Sequence, residues 1–239
     1  MKALAWIALH KWRMLLACFI GLLLISPFSR VFEEQDNIIT PVFTVIAALV
    51  ILGAAERRET IWMMLALTLV WSGVGIVTDG SGLFAGISLL APLLFLLVLA
   101  TLFLLIARWM IRAVHINAEV LCAAICGYLL LGIFWAVLYS IILAVRARWF
   151  PQHPSAFVTT TSSSFEAGDL LYFSYMTLTT TGYGDIVPRG SEVRMLAVLE
   201  AMVGLFYNTI IIARFVSLYG VSVFPRTSAP ADSGRDRDT

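Results

Sequence analysis

Hydrophobic residues run along this chain in long blocks, and polar residues are confined to short breaks between them. Met14 to Ile25, Ile38 to Ala55, Ile61 to Val77, Ile87 to Met110, Ala118 to Val145 and Val193 to Val221 each read as an apolar helix. A helix needs roughly 20 apolar residues to cross a bilayer. The first block is the shortest, and snorkelling of Lys11 and Arg13 is expected to make up its length. No Ala-x-Ala-like site follows it, so it reads as an uncleaved helix with a basic inner end. The breaks are Ser29 to Asn37, Glu56 to Glu59 and Thr78 to Gly82. Pro41 and Pro92 fall near helix starts, where a missing N–H costs little.

The connection between the last two blocks is different. Arg146 to Ser164 is polar, Pro-containing and Ser/Thr-rich, and reads as a loop. Phe165 to Leu178 reads as a helix capped by Ser163 or Ser164, with Glu166 and Asp169 near its positive end. It is too short to cross, so it is expected to be re-entrant. It leads into Thr179-Thr180-Thr181-Gly182-Tyr183-Gly184-Asp185. Non-helical backbone at membrane depth survives only where protein buries it or it lines water. Two glycines flanking a tyrosine suit a backbone in which alternate residues take φ values that glycine reaches without strain.

Composition agrees with the blocks. Of 239 residues 60% are hydrophobic and 13% charged, which excludes a soluble globular domain and suits several membrane spans. The net charge of +1 comes with no basic arm, so no nucleic-acid partner is expected. Cys18, Cys122 and Cys126 lie in apolar runs and read as small packing residues with no metal site. No Ser/His/Asp, metal-spaced or Gly-rich phosphate constellation points to an enzyme. Six spans with both termini cytoplasmic put eleven lysines and arginines inside and five outside. That predicts a multi-pass protein of the cell (inner) membrane, with the Thr-Gly-Tyr-Gly turn opening outward.

The residues Thr179 to Asp185 resemble the selectivity filter of potassium channels, with Thr181 where the TVGYG form has valine. Ile125-Cys-Gly-Tyr-Leu-Leu-Leu-Gly132 through Tyr139, Tyr172 to Leu178 and Leu196 to Gly204 look like the bacterial two-helix pore-domain family of potassium channels. The resemblance implies an all-α membrane protein: about six transmembrane helices, a re-entrant pore helix and a filter, assembled as a homotetramer in the lipid bilayer. Residues 1–115 would be a four-helix scaffold, 116–222 the pore domain and 223–239 a disordered cytoplasmic tail. It further implies potassium ions at the carbonyls of Thr180, Thr181, Gly182 and Tyr183 and the Thr180 hydroxyl, with Gly184 completing the filter. Asp185 would form a cation-attracting ring at the outer mouth. No cofactor is implied beyond potassium as the permeant ion. Met176 stands where such channels often carry a pore-helix glutamate. The fourth span has no basic residue before Arg108, so the first four helices should sense little voltage.

Glu200, Gly204 and Asn208 recur every four residues and are expected on one face of the last helix. A carboxylate inside an apolar span marks a functional site. Glu200 either anchors the short helix by hydrogen bonding or acts on the ion. Gly204 is either a hinge or a close-packing position. Asn208 either faces a water-filled cavity or bonds another helix. Arg214 reads as a snorkelling inner-end charge, and His153 as an exposed loop residue. The alternative function is a secondary transporter with a re-entrant broken helix. A transporter of that kind should show paired breaks in two related halves, and Phe165 to Asp185 has no counterpart in the first half.

Overall fold

The structure, a computed structural model, describes residues 2–25, 69–70, 89–113, 117–150, 152, 156–159 and 167–223. In chain order these form α1 (Lys2–Ile25), α2 (Leu90–Arg112), α3 (Ala118–Trp149), β1 (Phe157–Thr159), α4 (Ala167–Leu178), β2 (Ile186–Pro188) and α5 (Ser191–Val223). Among the described residues three helices are long and apolar enough to cross a membrane: α2, α3, and α5 over Ser191–Ser217. The expected spans at 38–55 and 61–77 lie outside the described residues, apart from helical Leu69 and Val70. The first helix is present and has 24 residues, Lys2–Ile25. His153 and the tail from 224 also lie outside the described residues.

The central element is α3, which packs on α1 and α2 on one side and on α4 and α5 on the other. Its N-terminus is fixed by Asn117, whose side-chain oxygen accepts from the Val120 N–H at 2.9 Å. One core joins Trp12, Leu15 and Phe19 of α1, Val98, Leu99, Leu102 and Ile106 of α2, and Ala123, Cys126, Leu130 and Ile133 of α3. These recur at helical spacing and form one stripe per helix. Lipid tails are as apolar as leucine, so this core is held by close packing rather than by escape from water.

Polar ties supply what packing alone does not. Arg13 lies 3.0 Å from Glu119, whose other oxygen accepts from the Trp12 N–H at 3.2 Å. Arg214 is not a snorkelling charge. Its Nη2 donates to the carbonyls of Met110, Ile111 and Ala113 at 3.0, 2.6 and 3.0 Å. The last carbonyls of a helix have no intrahelical donor, and a guanidinium there satisfies them while complementing the dipole. Arg214 thereby fastens the C-terminal part of α5 to the C-terminal end of α2. Arg214→Met is expected to lower stability by about 2–3 kcal/mol, the scale of charged hydrogen bonds left unmade. Thermal unfolding in detergent checks this, and an unchanged midpoint would contradict it.

The segment expected to be a loop carries structure. Helix α3 continues to Trp149, and β1 pairs antiparallel with β2, Phe157 opposite Pro188 and Thr159 opposite Ile186. The fold is therefore not purely helical. Phe157 is buried, and its ring meets Phe173 of α4 edge-on at 5.0 Å and Tyr139 of α3 at 5.7 Å. Arg146 of α3 pairs with Glu192 in the first turn of α5. Strand β2, which directly follows the Thr-Gly-Tyr-Gly turn, is thus held by β1 and packs on α5.

Candidate functional site

Helix α4 has 12 residues, or about 18 Å of helix, well short of a bilayer core. It is described from Ala167; Phe165, Glu166 and the expected cap at Ser163 or Ser164 lie outside the described residues. Asp169 stands in its first turn, as its charge requires.

Glycine notches and hydroxyl groups hold α4 against α3. The Tyr175 ring lies directly over Gly132, where any Cβ would collide with it, and its hydroxyl donates to the Leu129 carbonyl at 2.7 Å. Ser174 Oγ lies 2.7 Å from the Gly132 carbonyl oxygen. At the end of α4, the Tyr128 hydroxyl donates to the Leu178 carbonyl at 3.0 Å. Gly127 makes room for Tyr207 of α5, whose hydroxyl donates to the Ala124 carbonyl at 2.7 Å.

The last helix closes the other side. Glu200 is fully buried, with Oε1 at 2.5 Å from Ser174 Oγ and Oε2 accepting from the Tyr139 hydroxyl at 2.7 Å. Gly204 is buried against Leu178, and a Cβ there would stand 2.5 Å from the Leu178 carbonyl oxygen. That is the close-packing alternative for this glycine. Asn208, one turn further on, is exposed in the single chain while Glu200 and Gly204 are buried. A four-residue step overshoots a 3.6-residue turn by about 40°, so two steps carry Asn208 well away from Glu200.

The turn after α4 is built on backbone groups. Thr179 N–H donates to the Tyr175 carbonyl at 3.0 Å and Thr180 N–H to the Thr177 carbonyl at 3.0 Å. The next two N–H groups, of Thr181 and Gly182, converge on the Met176 carbonyl at 2.9 and 3.2 Å. Thr180, Gly182 and Gly184 have φ of +58°, +53° and +81°. Alternate residues are therefore left-handed, and such alternation turns successive carbonyls toward one side of the strand. Thr180 holds this conformation without being glycine, at a cost of about 1–2 kcal/mol. Beside it, Thr179 Oγ1 donates to the Tyr175 carbonyl at 2.6 Å and meets Thr181 Oγ1 at 2.9 Å. Residues Thr179 to Gly184 are exposed in the single chain. Asp185 follows the turn, within hydrogen-bonding reach of the Tyr172 hydroxyl. Among the described residues no cluster of His, Cys, Asp or Glu could hold a metal ion.

Thr180, Thr181, Gly182, Tyr183, Gly184 and Asp185 thus form one continuous segment, with Glu200 and Gly204 behind α4 and Asn208 apart from them. Sequence reasoning missed Tyr128, Ser174 and Tyr175 as supports. The available signal was a set of hydroxyl side chains and glycines within otherwise apolar helices.

Comparison with known proteins agrees with this arrangement. A family model described as "Ion channel" matches residues 125–220, which takes in most of α3, all of α4 and the turn, and most of α5. Protein LctB of Geobacillus stearothermophilus is 38% identical over 90 residues, covering 38% of this chain and 63% of that protein. Protein LctB of Bacillus caldotenax is 32% identical over 111 residues, covering 45% of this chain and 81% of that protein. The chain belongs to this ion channel family, and it is a membrane protein with a predominantly helical fold.

Proposed function

We propose that this chain is a subunit of a homotetrameric, potassium-selective channel of the cell membrane. The observation that carries this reading is the alternation of left-handed residues at Thr180, Gly182 and Gly184 within the Gly-Tyr-Gly turn. A potassium ion leaves water only if its oxygen shell is replaced. The carbonyls of Thr180, Thr181, Gly182 and Tyr183, with the Thr180 hydroxyl, offer successive oxygens on one side of the backbone. One chain gives only part of each ring, so four chains around an axis complete it. The lipid-like exposure of α5 supports assembly: Leu205, Phe206 and Ile210 are 58%, 58% and 65% exposed in the single chain. The C-terminus of α4 brings its partial negative charge to the turn, and Asp185 adds charge at the outer mouth.

Purified protein in planar bilayers tests this. With unequal potassium and sodium gradients, the current is expected to reverse near the potassium equilibrium potential, at single-channel rates. Equal permeability to both ions, or turnover at transporter rates, would overturn it.

Voltage dependence is expected to be weak. Among the described residues of α2 the basic side chains are Arg108 and Arg112, both exposed near its inner end. Moving one charge through 100 mV supplies about 2.3 kcal/mol, so steep opening needs several charges within the field. Conductance recorded across a wide voltage range should be nearly flat. A sigmoidal curve with several effective gating charges would contradict this.

A further inference from the structure

Behind α4 lies a buried chain of oxygens that the pore reading does not use. Ser174 Oγ stands 2.5 Å from Glu200 Oε1 and 2.7 Å from the Gly132 carbonyl oxygen. The Tyr139 hydroxyl stands 2.7 Å from Glu200 Oε2. Glu200, Ser174 and Tyr139 are each 0% exposed, so these groups must satisfy one another.

Counting protons decides the state of the carboxyl. A serine hydroxyl carries one proton, whereas a carboxylate and a peptide carbonyl are both acceptors only. With Glu200 ionised, Ser174 can serve Oε1 or the Gly132 carbonyl, and the remaining oxygen pair meets lone pair to lone pair. Oxygens that close are held together by a proton between them. A proton on Glu200 Oε1 resolves the conflict. Glu200 then donates to Ser174, Ser174 donates to Gly132, and Tyr139 donates to Oε2. Each of the three contacts contains one proton, and no net charge lies within the span, where it would be costly.

We propose that Glu200 is a buried proton-binding site. It is a neutral carboxylic acid whose proton closes the chain Tyr139→Glu200→Ser174→Gly132 across α3, α4 and α5, and loss of that proton in alkali loosens α4 and lowers conduction. The step is a plain deprotonation: hydroxide takes the proton to form water, and the new carboxylate competes with the Gly132 carbonyl for the single Ser174 proton. The proton belongs to the packed arrangement, so that arrangement is complete on the acid side and weakens as pH rises. The titratable group facing Glu200 from α3 is Tyr139; α4 presents Ser174, which does not titrate in this range. Among the described residues no lysine, arginine or histidine is paired with the carboxyl. The Tyr139 ring is walled by Phe157 and Phe173, which keeps the surroundings apolar. The effect on conduction rests on the pore reading above; the protonation state does not.

Infrared spectroscopy and potassium flux on the full chain in liposomes test the proposal together. At neutral pH the wild type should show the carbonyl band of a protonated carboxylic acid, absent from Glu200→Gln. Glutamine can repeat the pattern, its amide N–H donating to Ser174 and its oxygen accepting from Tyr139. The flux that the variant carries at neutral pH should therefore persist into alkali, without the wild-type decline. Wild-type flux should fall by about tenfold or more for each pH unit beyond the midpoint, since each of the four subunits carries the site and the fall steepens with the number that must stay protonated. The proposal is overturned if the neutral-pH band is missing, if the band persists in Glu200→Gln, or if wild-type flux stays flat in alkali. Should Glu200→Gln not assemble, Ser174→Ala removes the acceptor of the Glu200 proton and must shift the band to higher frequency. An unshifted band places the proton on another carboxyl and overturns the proposal. A pore reading that is itself wrong shows differently: neutral-pH wild-type flux is then unselective while the infrared band remains.

Discussion

Gly184→Ala, and separately Gly182→Ala, should abolish selectivity for potassium over sodium. Both glycines have positive φ, +81° and +53°, and neither has any atom within 4 Å of where a Cβ would stand in the single chain. The obstacle is therefore conformational and not steric crowding. An L-residue held left-handed costs about 1–2 kcal/mol, and a four-fold assembly incurs that in every subunit, roughly fourfold in total. Thr180 already carries one such cost per chain. A second left-handed L-residue in the same five-residue turn gives the backbone reason to flip a peptide. A flipped peptide swaps an inward carbonyl for an N–H, which repels a cation. The bi-ionic reversal potential reads this directly: each variant should reverse midway between the two equilibrium potentials, if it conducts at all. Retention of the wild-type reversal potential in either variant would show that these carbonyls do not coordinate the ion.

How much of this arrangement can be read along the chain depends on the range of the interactions. Helices α2, α3 and α5 announce themselves through uninterrupted apolar runs, and α4 through a run too short to cross. The turn is legible because its glycines reflect a local conformational need. The strand at Phe157–Thr159 is not legible: three residues show no periodicity, and its partner lies beyond the whole of α4. Arg214 misleads for a similar reason. A basic residue near the inner end of a span fits snorkelling, and nothing nearby in sequence indicates that the end of α2 lies within its reach. Spacing places Glu200 and Gly204 together, since one step of four drifts little. At Asn208 the drift has doubled, and the side chain is exposed in the single chain. The proton chain is invisible in sequence because it joins α3, α4 and α5 through residues as far apart as Gly132 and Glu200.

Gly204→Ala should destabilise the protein, and the sign of that change separates two meanings of a glycine within a helix. At an exposed or merely flexible position, alanine is the better helix former by about 1 kcal/mol, so the exchange stabilises. Gly21 of α1, with no atom within 4 Å of a would-be Cβ, is such a position and serves as the control. At Gly204 the added Cβ meets the Leu178 carbonyl oxygen at 2.5 Å and Leu178 Cδ1 at 3.0 Å. The side chain could rotate away, but the carbonyl cannot: it belongs to the last residue of α4 and accepts from the Tyr128 hydroxyl. Relief requires α4 and α5 to separate, which pulls on the Ser174–Glu200 contact one turn earlier in α5 and on Thr179 next in chain. Forcing a methyl group into a packed contact costs about 1–3 kcal/mol, so the net loss per chain stays positive after the helix-propensity gain is deducted in most of that range. Thermal unfolding in detergent should show Gly204→Ala melting below the wild type and Gly21→Ala at or above it. Potassium flux should fall in the first variant and not in the second, because Leu178 is the residue from which the turn departs. A Gly204→Ala protein that melts higher and conducts less would instead mark this glycine as a hinge.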